Sequence, residues 1–296
     1  MSAPLTHSSS ILIVGAGTWG CSTALHLARR GYTNITVLDP YHVPSPISAG
    51  NDVNKIVELS AFGGDDPQAR SLSDMCLKAA VDGWLHDPVF KPYFHDTGYI
   101  VAASSLEARK HLIERERPRE EDGYRPLVGK EAFQATMPRG VLTGDFTDWE
   151  GFYKPKGAGW VHARKSMESA ASEARRLGVI FITGEEQGRV VSLIYEDGDI
   201  KGVKTADGNE HRADRTLLCA GANADGLFDF KDQLRPTAWT LAHIRMTEDE
   251  VKLYKDLPVL FNVERGFFME PDEDNHELKI CDEHPGYCNW DAESQK

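Results

Sequence analysis

The stretch from Ser10 to Gly31 constrains this chain more than any other. Ile11-Leu12-Ile13-Val14 is an all-apolar run, the pattern of a strand buried on both faces of a parallel sheet. It leads directly into Gly15-Ala16-Gly17-Thr18-Trp19-Gly20, a G-x-G-x-x-G turn. A helical run follows from Cys21 to Arg30, with cations in its last turn and Gly31 as its C′ residue. A second apolar strand, Ile35-Thr36-Val37-Leu38, ends on Asp39. In such a unit the first glycine permits the tight turn and the second lets backbone approach a pyrophosphate. The third lets helix pack closely on strand. Unpaired amides at the helix start, with the positive end of its dipole, hold phosphates. Asp39 follows Gly17 by about 20 residues, the spacing at which a carboxylate binds a ribose 2′-OH. Gly15, Gly17, Thr18, Trp19 and Asp39 are therefore candidate dinucleotide ligands. An acid rather than a basic residue at the second strand's end disfavours a 2′-phosphate, which leaves FAD and NAD.

Size and composition narrow the class. A chain of 296 residues, 41% hydrophobic and 27% charged, reads as a globular protein of one large or two interleaved domains. A net charge of −13 argues against nucleic acid and anionic membrane surfaces as partners. No apolar run approaches the length of a membrane span, and the first nine residues lack Lys and Arg. The sequence ends Ser-Gln-Lys, which is no peroxisomal address, and the cytoplasm is the default expectation. The cysteines, Cys21, Cys76, Cys219, Cys281 and Cys288, show no C-x-x-C spacing. They imply a reducing compartment and no zinc site.

Further along, a loop from Tyr41 to Gly50 is punctuated by Pro44 and Pro46, and a new element begins at Asn51. That polar segment is expected beside the dinucleotide, although a solvated surface lysine explains Lys55 equally well. Residues 66–89 read as mainly helix, with Leu72, Met75, Cys76, Ala79, Ala80 and Trp84 forming an apolar face against a core. The block from 60 to 155 carries no second glycine fingerprint and reads as an inserted domain. The nucleotide-binding pattern then resumes. Gly157-Ala158-Gly159-Trp160 leads into a helix from Val161 to Leu177, then a strand over Val179–Thr183 and a meander with two hairpin turns. A last apolar run, Thr216 to Ala220, stops at Gly221. From Leu234 the chain is strand-rich, over Ala238–Met246, Val259–Val263, Gly266–Glu270 and Leu278–Cys281, as an antiparallel sheet. Alternation in Leu278-Lys279-Ile280 points Lys279 opposite its apolar neighbours, with a solvated lysine as the bland alternative. Asp282-Glu283-His284 reads as a charged turn before Pro285. The nearby His276, Glu277 and His284 lack the helical frame of a metal site, so no metal is assigned.

Four stretches also carry a family resemblance. Gly15 to Gly20 with Ser22-Thr23-Ala24-Leu25-His26-Leu27, Ser48 to Ile56, Leu234 to Thr240, and Lys279 to Tyr287 together resemble the fungal fructosyl amino acid oxidases. These are the amadoriases or fructosyl peptide oxidases, relatives of monomeric sarcosine oxidase, and the likeness runs from Ser10 to Asn289. It implies an α/β fold of the D-amino acid and sarcosine oxidase type. A Rossmann-like FAD-binding domain, residues 1–60 and 157–233, would be interleaved with an antiparallel-sheet α+β substrate domain, 61–156 and 234–296. It implies FAD as cofactor, a fructosyl amino acid and O₂ as small-molecule partners, and a monomer. The ketoamine C–N bond would be oxidised to give glucosone, free amino acid and H₂O₂.

By the same resemblance, Lys279 is the lysine near the flavin N5 that stabilises superoxide, and Lys55 the basic residue above the ring. Glu283 is the acid that binds the sugar or amine side of the substrate. Ser48 and Asp52 join the cofactor-binding set, Val190 contacts adenine through its backbone, and Gly221 lets the last strand approach the cofactor. Trp239 walls the pocket or packs in a core. Family members run further, with a flavinylating cysteine, a substrate-clamping arginine and a glycine-rich turn in a tail that has no counterpart before Lys296. The last strand and helix of the cofactor domain are thus expected to be missing from this sequence, and neither Cys281 nor Cys288 takes the flavinylating role. The alternatives are a partial FAD-binding module and an oxidase of sarcosine or other secondary amines.

Overall fold

The computed structural model describes residues 4–59, 66–116, 120–234 and 236–282. They form two units, each assembled from separate stretches of chain.

The first unit comprises Met1–Val53, Asp87–Tyr93 and His162–Pro236. Its sheet has four parallel strands in the order Arg215–Leu218, Ile11–Val14, Ile35–Asp39, Ile180–Thr183. The strand Ile11–Val14 lies in the interior of that sheet, which is why all four of its residues are apolar and buried. One sheet face packs Ile11, Ile13 and Val37 against the helices Thr18–Arg29 and Ala163–Arg176. Their contacting residues, Ala24, Leu25, Ala170, Ala171 and Ala174, are mostly small and let the helices come close. The other face packs Leu12, Val14 and Leu38 against Val203, Val190 and Leu193 of the meander Val190–Glu196, Asp199–Thr205, Glu210–Arg212.

The second unit comprises Asn54–His86, Phe94–Val161 and Thr237–Lys296. Its main sheet has seven strands in the order Leu241–Arg245, Glu277–Cys281, Gly266–Phe268, Val259–Asn262, Tyr99–Ala103, Glu150–Lys154, Arg125–Val128. It is not wholly antiparallel as expected, because Val259–Asn262 pairs parallel with Tyr99–Ala103. A smaller sheet holds Ala158–Val161 between Lys55–Glu58 and Phe94–His95. Phe133, Ile100, Leu257 and Leu260 fill the largest core cluster of this unit.

Three sequence expectations change here. Ala158–Val161 is a strand rather than a lead-in turn, and the following helix starts at Ala163. Gly159 belongs in that strand because a Cβ there would lie 2.0 Å from the carbonyl oxygen of His95. The unit boundaries therefore differ from those expected: Asn54 to Glu58 and Ala158 to Val161 fall in the second unit. Asp87–Tyr93 falls in the first, where Val89 and Phe90 enter the core. Finally, the helix Pro67–Val81, capped by Asp66 accepting from Gln68 N, ends before a π turn at Asp82–His86. Its apolar face is not against a core, since Leu72 is 52% and Met75 63% exposed. Cysteine and alanine make up most of that face within the helix, and they offer too little apolar area to anchor it.

One half-buried tie organises the sheet end at Ala103. Glu264 Oε2 accepts from Ser104 N (2.6 Å), Ser104 Oγ (2.8 Å) and Ser105 N (2.8 Å), just where Ser105 caps the helix Leu106–His111. Burial pushes the Glu264 carboxyl up, but these donors outweigh it and hold the group at about 2, below the ordinary 4.5. A folded-state value below the unfolded one means stability that is present above pH 4.5 and lost as pH falls toward 2. Glu264→Gln should cost about 1–3 kcal/mol at neutral pH, the scale for a partly exposed charge-assisted cluster. It should also remove part of the stability loss between pH 4.5 and 2. Chemical denaturation of both proteins across that range checks this.

Candidate functional site

In the first unit the carboxyl ends of the parallel strands open on a cavity of about 820 Å³. It lies where strand Ile11–Val14 is flanked by Arg215–Leu218 on one side and Ile35–Asp39 on the other, the crevice at which open α/β sheets bind ligands. Gly15, Gly17, Thr18, Trp19, Asp39, Ser48, Val190 and Gly221 all line it. Eight residues scattered over two hundred positions of sequence are thus brought to one wall.

The turn is shaped by contacts that no side chain could share. Gly15 has φ +101°, and a Cβ there would lie 2.5 Å from Cys219 O; a Cβ on Gly20 would lie 1.8 Å from Gly15 O. Gly17 is the extended N-cap of the helix Thr18–Arg29, with no side-chain cap bond and no acid in the first turn. The first amides of the helix are therefore left for an anion, and the dipole favours one. Asp39 is nearly buried: Oδ2 accepts from Ala16 N at 2.8 Å and Oδ1 from Tyr41 N at 2.9 Å. Burial raises its pKa, and those two amides oppose the rise. Each oxygen keeps a lone pair for a sugar hydroxyl, so the carboxylate can hold the turn and a ribose together. The cradle fits a dinucleotide.

Sequence reasoning missed two glycines of this wall. A Cβ on Gly50 would meet Met167 Sδ at 2.2 Å and Thr18 Oγ1 at 2.3 Å, and one on Gly188 would meet Asp39 O at 2.1 Å. Neither stands in a recognisable spacing; only the packing reveals them. Two residues expected at the cofactor lie off the cavity wall. Asp52 is buried, with Oδ1 accepting from Val53 N at 2.8 Å, and Lys55 belongs to the second unit, exposed at the start of its strand. Gly221, with φ +56°, opens the short 3-10 turn Gly221–Gly226, and nothing lies within 4 Å of its Cβ position.

In the second unit Lys279 is the notable cation. It lies in strand Glu277–Cys281 and is only 3% exposed, so the solvated-lysine alternative falls. Nζ donates to Asn54 O at 3.1 Å and sits 5.4 Å from the centroid of the Phe267 ring. The bond joins Lys279 to the residue preceding Lys55, across 225 positions of sequence. Asn54 is itself fully buried, and among the described residues its side-chain amide makes no hydrogen bond. Trp239 is 49% exposed in this unit rather than packed in a core. Glu283 lies outside the described residues, as does Cys288.

Gly20→Ala should destabilise the first unit by about 3 kcal/mol, because the clash is with rigid backbone. It should also abolish binding of an ADP-containing dinucleotide. Gly221→Ala should cost only about 1 kcal/mol, the strain of a left-handed backbone without a clash. Thermal unfolding and calorimetric titration of the two variants separate these effects.

Comparison with known proteins agrees with this geometry. Residues 10–295 match the family model described as FAD dependent oxidoreductase. The L-saccharopine oxidase of Schizosaccharomyces pombe is 27% identical over 283 residues, 89% of this chain and 62% of the relative. The crystal structure of Amadoriase I from Aspergillus fumigatus superposes with a TM-score of 0.93 at 58% identity, covering 98% of this chain and 66% of that one. Amadoriase II from the same organism, a fructosamine oxidase solved in complex with FSA, gives 0.92 at 55% identity, covering 98% and 67%. The chain thus spans about two thirds of the length of these relatives. It belongs to the FAD dependent oxidoreductase family, with FAD as cofactor, and its likeness within that family is to the amadoriases.

Proposed function

We propose that the protein is an oxidase of fructosyl amino acids. It would take a ketoamine, O₂ and water to glucosone, the free amino acid and H₂O₂. The observation that carries this reading is the ammonium of Lys279, buried beside Asn54 O in a chain 55% and 58% identical to amadoriases. Burying a lysine costs free energy, so a fold that holds one on a carbonyl and an aromatic face has a use for its charge.

FAD held there would supply the two-electron redox chemistry between the substrate's C–N bond and O₂. The residues have separate tasks. Amides of the Gly15–Gly20 turn take the pyrophosphate, Asp39 the ribose hydroxyls, and Val190 the adenine through its backbone. Lys279 offers positive charge to the oxygen being reduced, a preorganised electrostatic contribution. Lys55 is the basic residue above the ring, and Glu283 is the counter-ion to the substrate's amine. The imine left by hydride loss is then hydrolysed by water.

The likeness to L-saccharopine oxidase favours a second reading, saccharopine or another secondary amine as the substrate. A panel of fructosyl amino acids, saccharopine and sarcosine separates the two. Purified protein loaded with FAD should be yellow, be bleached anaerobically by a fructosyl amino acid, and release H₂O₂ on admission of air. A yellow protein bleached by none of the panel overturns the oxidase reading. Lys279→Met should slow reoxidation by O₂ roughly 100-fold while leaving bleaching within a few-fold of wild type. Equal loss of both half-reactions, followed by stopped-flow absorbance, would remove the role given to Lys279.

A further inference from the structure

Glu270 has no task in the reaction above, yet it is 3% exposed in the middle of the second unit. Its Oε2 accepts from the indole Nε1 of Trp160 at 3.2 Å. Trp160 lies in Ala158–Val161, the central strand of the small sheet, opposite Ile56 and one position from the pairing partner of Lys55. On its other side the ring of His95 stacks on the indole, with centroids 3.8 Å apart and planes 6° from parallel. Glu270 follows Phe268 by two residues, and Phe268 pairs with Ile280, the neighbour of Lys279. The Trp160–Glu270 bond therefore links the sheet that carries Lys55 to the sheet that carries Lys279. A second link between the two sheets is the bond from Lys279 Nζ to Asn54 O, and the Lys154–Glu58 ion pair at 3.5 Å joins them elsewhere. Trp160, Phe267, Met269 and Ile56 share one apolar cluster, a packed path by which movement at the first link can reach the second.

We propose that Glu270 is a positioning residue whose proton sets the strength of the tie between the two lysine-bearing strands. As an ionised carboxylate it holds the indole N–H with a charge-assisted bond; protonated, it holds the same donor about half as strongly. The groups that face it are Asp256 and Glu273, which disfavour its charge, and Lys255, which favours it but is itself bonded to Glu273 at 2.8 Å. His95 faces the indole from its other side. Burial foremost pushes the Glu270 carboxyl up to about 7, against the pull of the Trp160 bond, so the change falls at physiological pH.

The assignment of Lys279 and Lys55 to the reaction rests on the function proposed above; the titration of Glu270 does not. The first measurement needs no cofactor: the indole N–H resonances of ¹⁵N-labelled protein are followed from pH 5.5 to 8.5. One resonance, assigned to Trp160 by its loss in Trp160→Phe, should move with a midpoint near 7 in wild type. It should stay still in Glu270→Gln and move in Glu270→Asp. Absence of that inflection in wild type, or its persistence in Glu270→Gln, overturns the proposal.

The second measurement takes FAD-loaded protein reduced with dithionite, so that no substrate is required, and follows reoxidation by O₂. The rate should change about fivefold across the same midpoint in wild type and be flat in Glu270→Gln and in Trp160→Phe. A moving indole with an unchanged reoxidation profile would show that Glu270 titrates without positioning anything, and would also overturn the proposal. A protein that passes both tests but is not bleached by fructosyl amino acids leaves this inference standing and sinks only the substrate assignment.

Discussion

Closure of the first turn on itself is the constraint on which the cofactor site depends. The Cα of Gly20 lies against the carbonyl of Gly15, and Gly15 in turn lies against the carbonyl of Cys219 at the end of the neighbouring strand. Three pieces of backbone thus meet with no room for a methyl group. That contact sets how close the helix Thr18–Arg29 comes to the sheet, and hence where its first amides point. Asp39 completes the arrangement by accepting from Ala16 N inside the turn and from Tyr41 N after its own strand. Its carboxylate is a brace as well as a ligand, which explains why an acid at this position tolerates being almost fully buried.

The second unit solves a different problem, that of keeping a cation away from water. Lys279 donates to the main-chain oxygen of Asn54 and lies near the Phe267 ring, on the strand next to the edge of a seven-stranded sheet. The same unit shelters a carboxylate, Glu270, on an indole N–H, and an amide, Asn54, with no hydrogen-bonding partner among the described residues. Buried polar groups are costly to a fold unless they are well partnered.

Several elements were legible in the chain because their signals are local. Ile11–Val14, the glycine turn, the helix after it and the strand ending in Asp39 follow from composition and spacing alone, and the hairpins of the meander follow from their Asp-Gly turns. Lys279 could be placed on a strand and turned away from Leu278 and Ile280 by alternation. Whether that direction led to water or to the interior could not be read, because it depends on Phe267 and Asn54, residues remote in sequence. The strand Ala158–Val161 reads as a turn for the same reason: Gly157 and Gly159 suggest one, whereas in the fold His95 presses on Gly159.

By itself the sequence determined a βαβ unit built to hold a dinucleotide with free ribose hydroxyls, since each requirement there is met by residues within forty positions of the start. It also determined, through four long stretches, the family to which that unit belongs. Only the tertiary structure decided which glycines are obligatory, because close approach is a property of two segments and not of one. It alone decided that Lys279 is buried and tied to the residue before Lys55, and that Glu270 bonds to Trp160 on the strand paired with that of Lys55. Those are contacts between positions far apart in the chain, and a linear pattern carries no record of them.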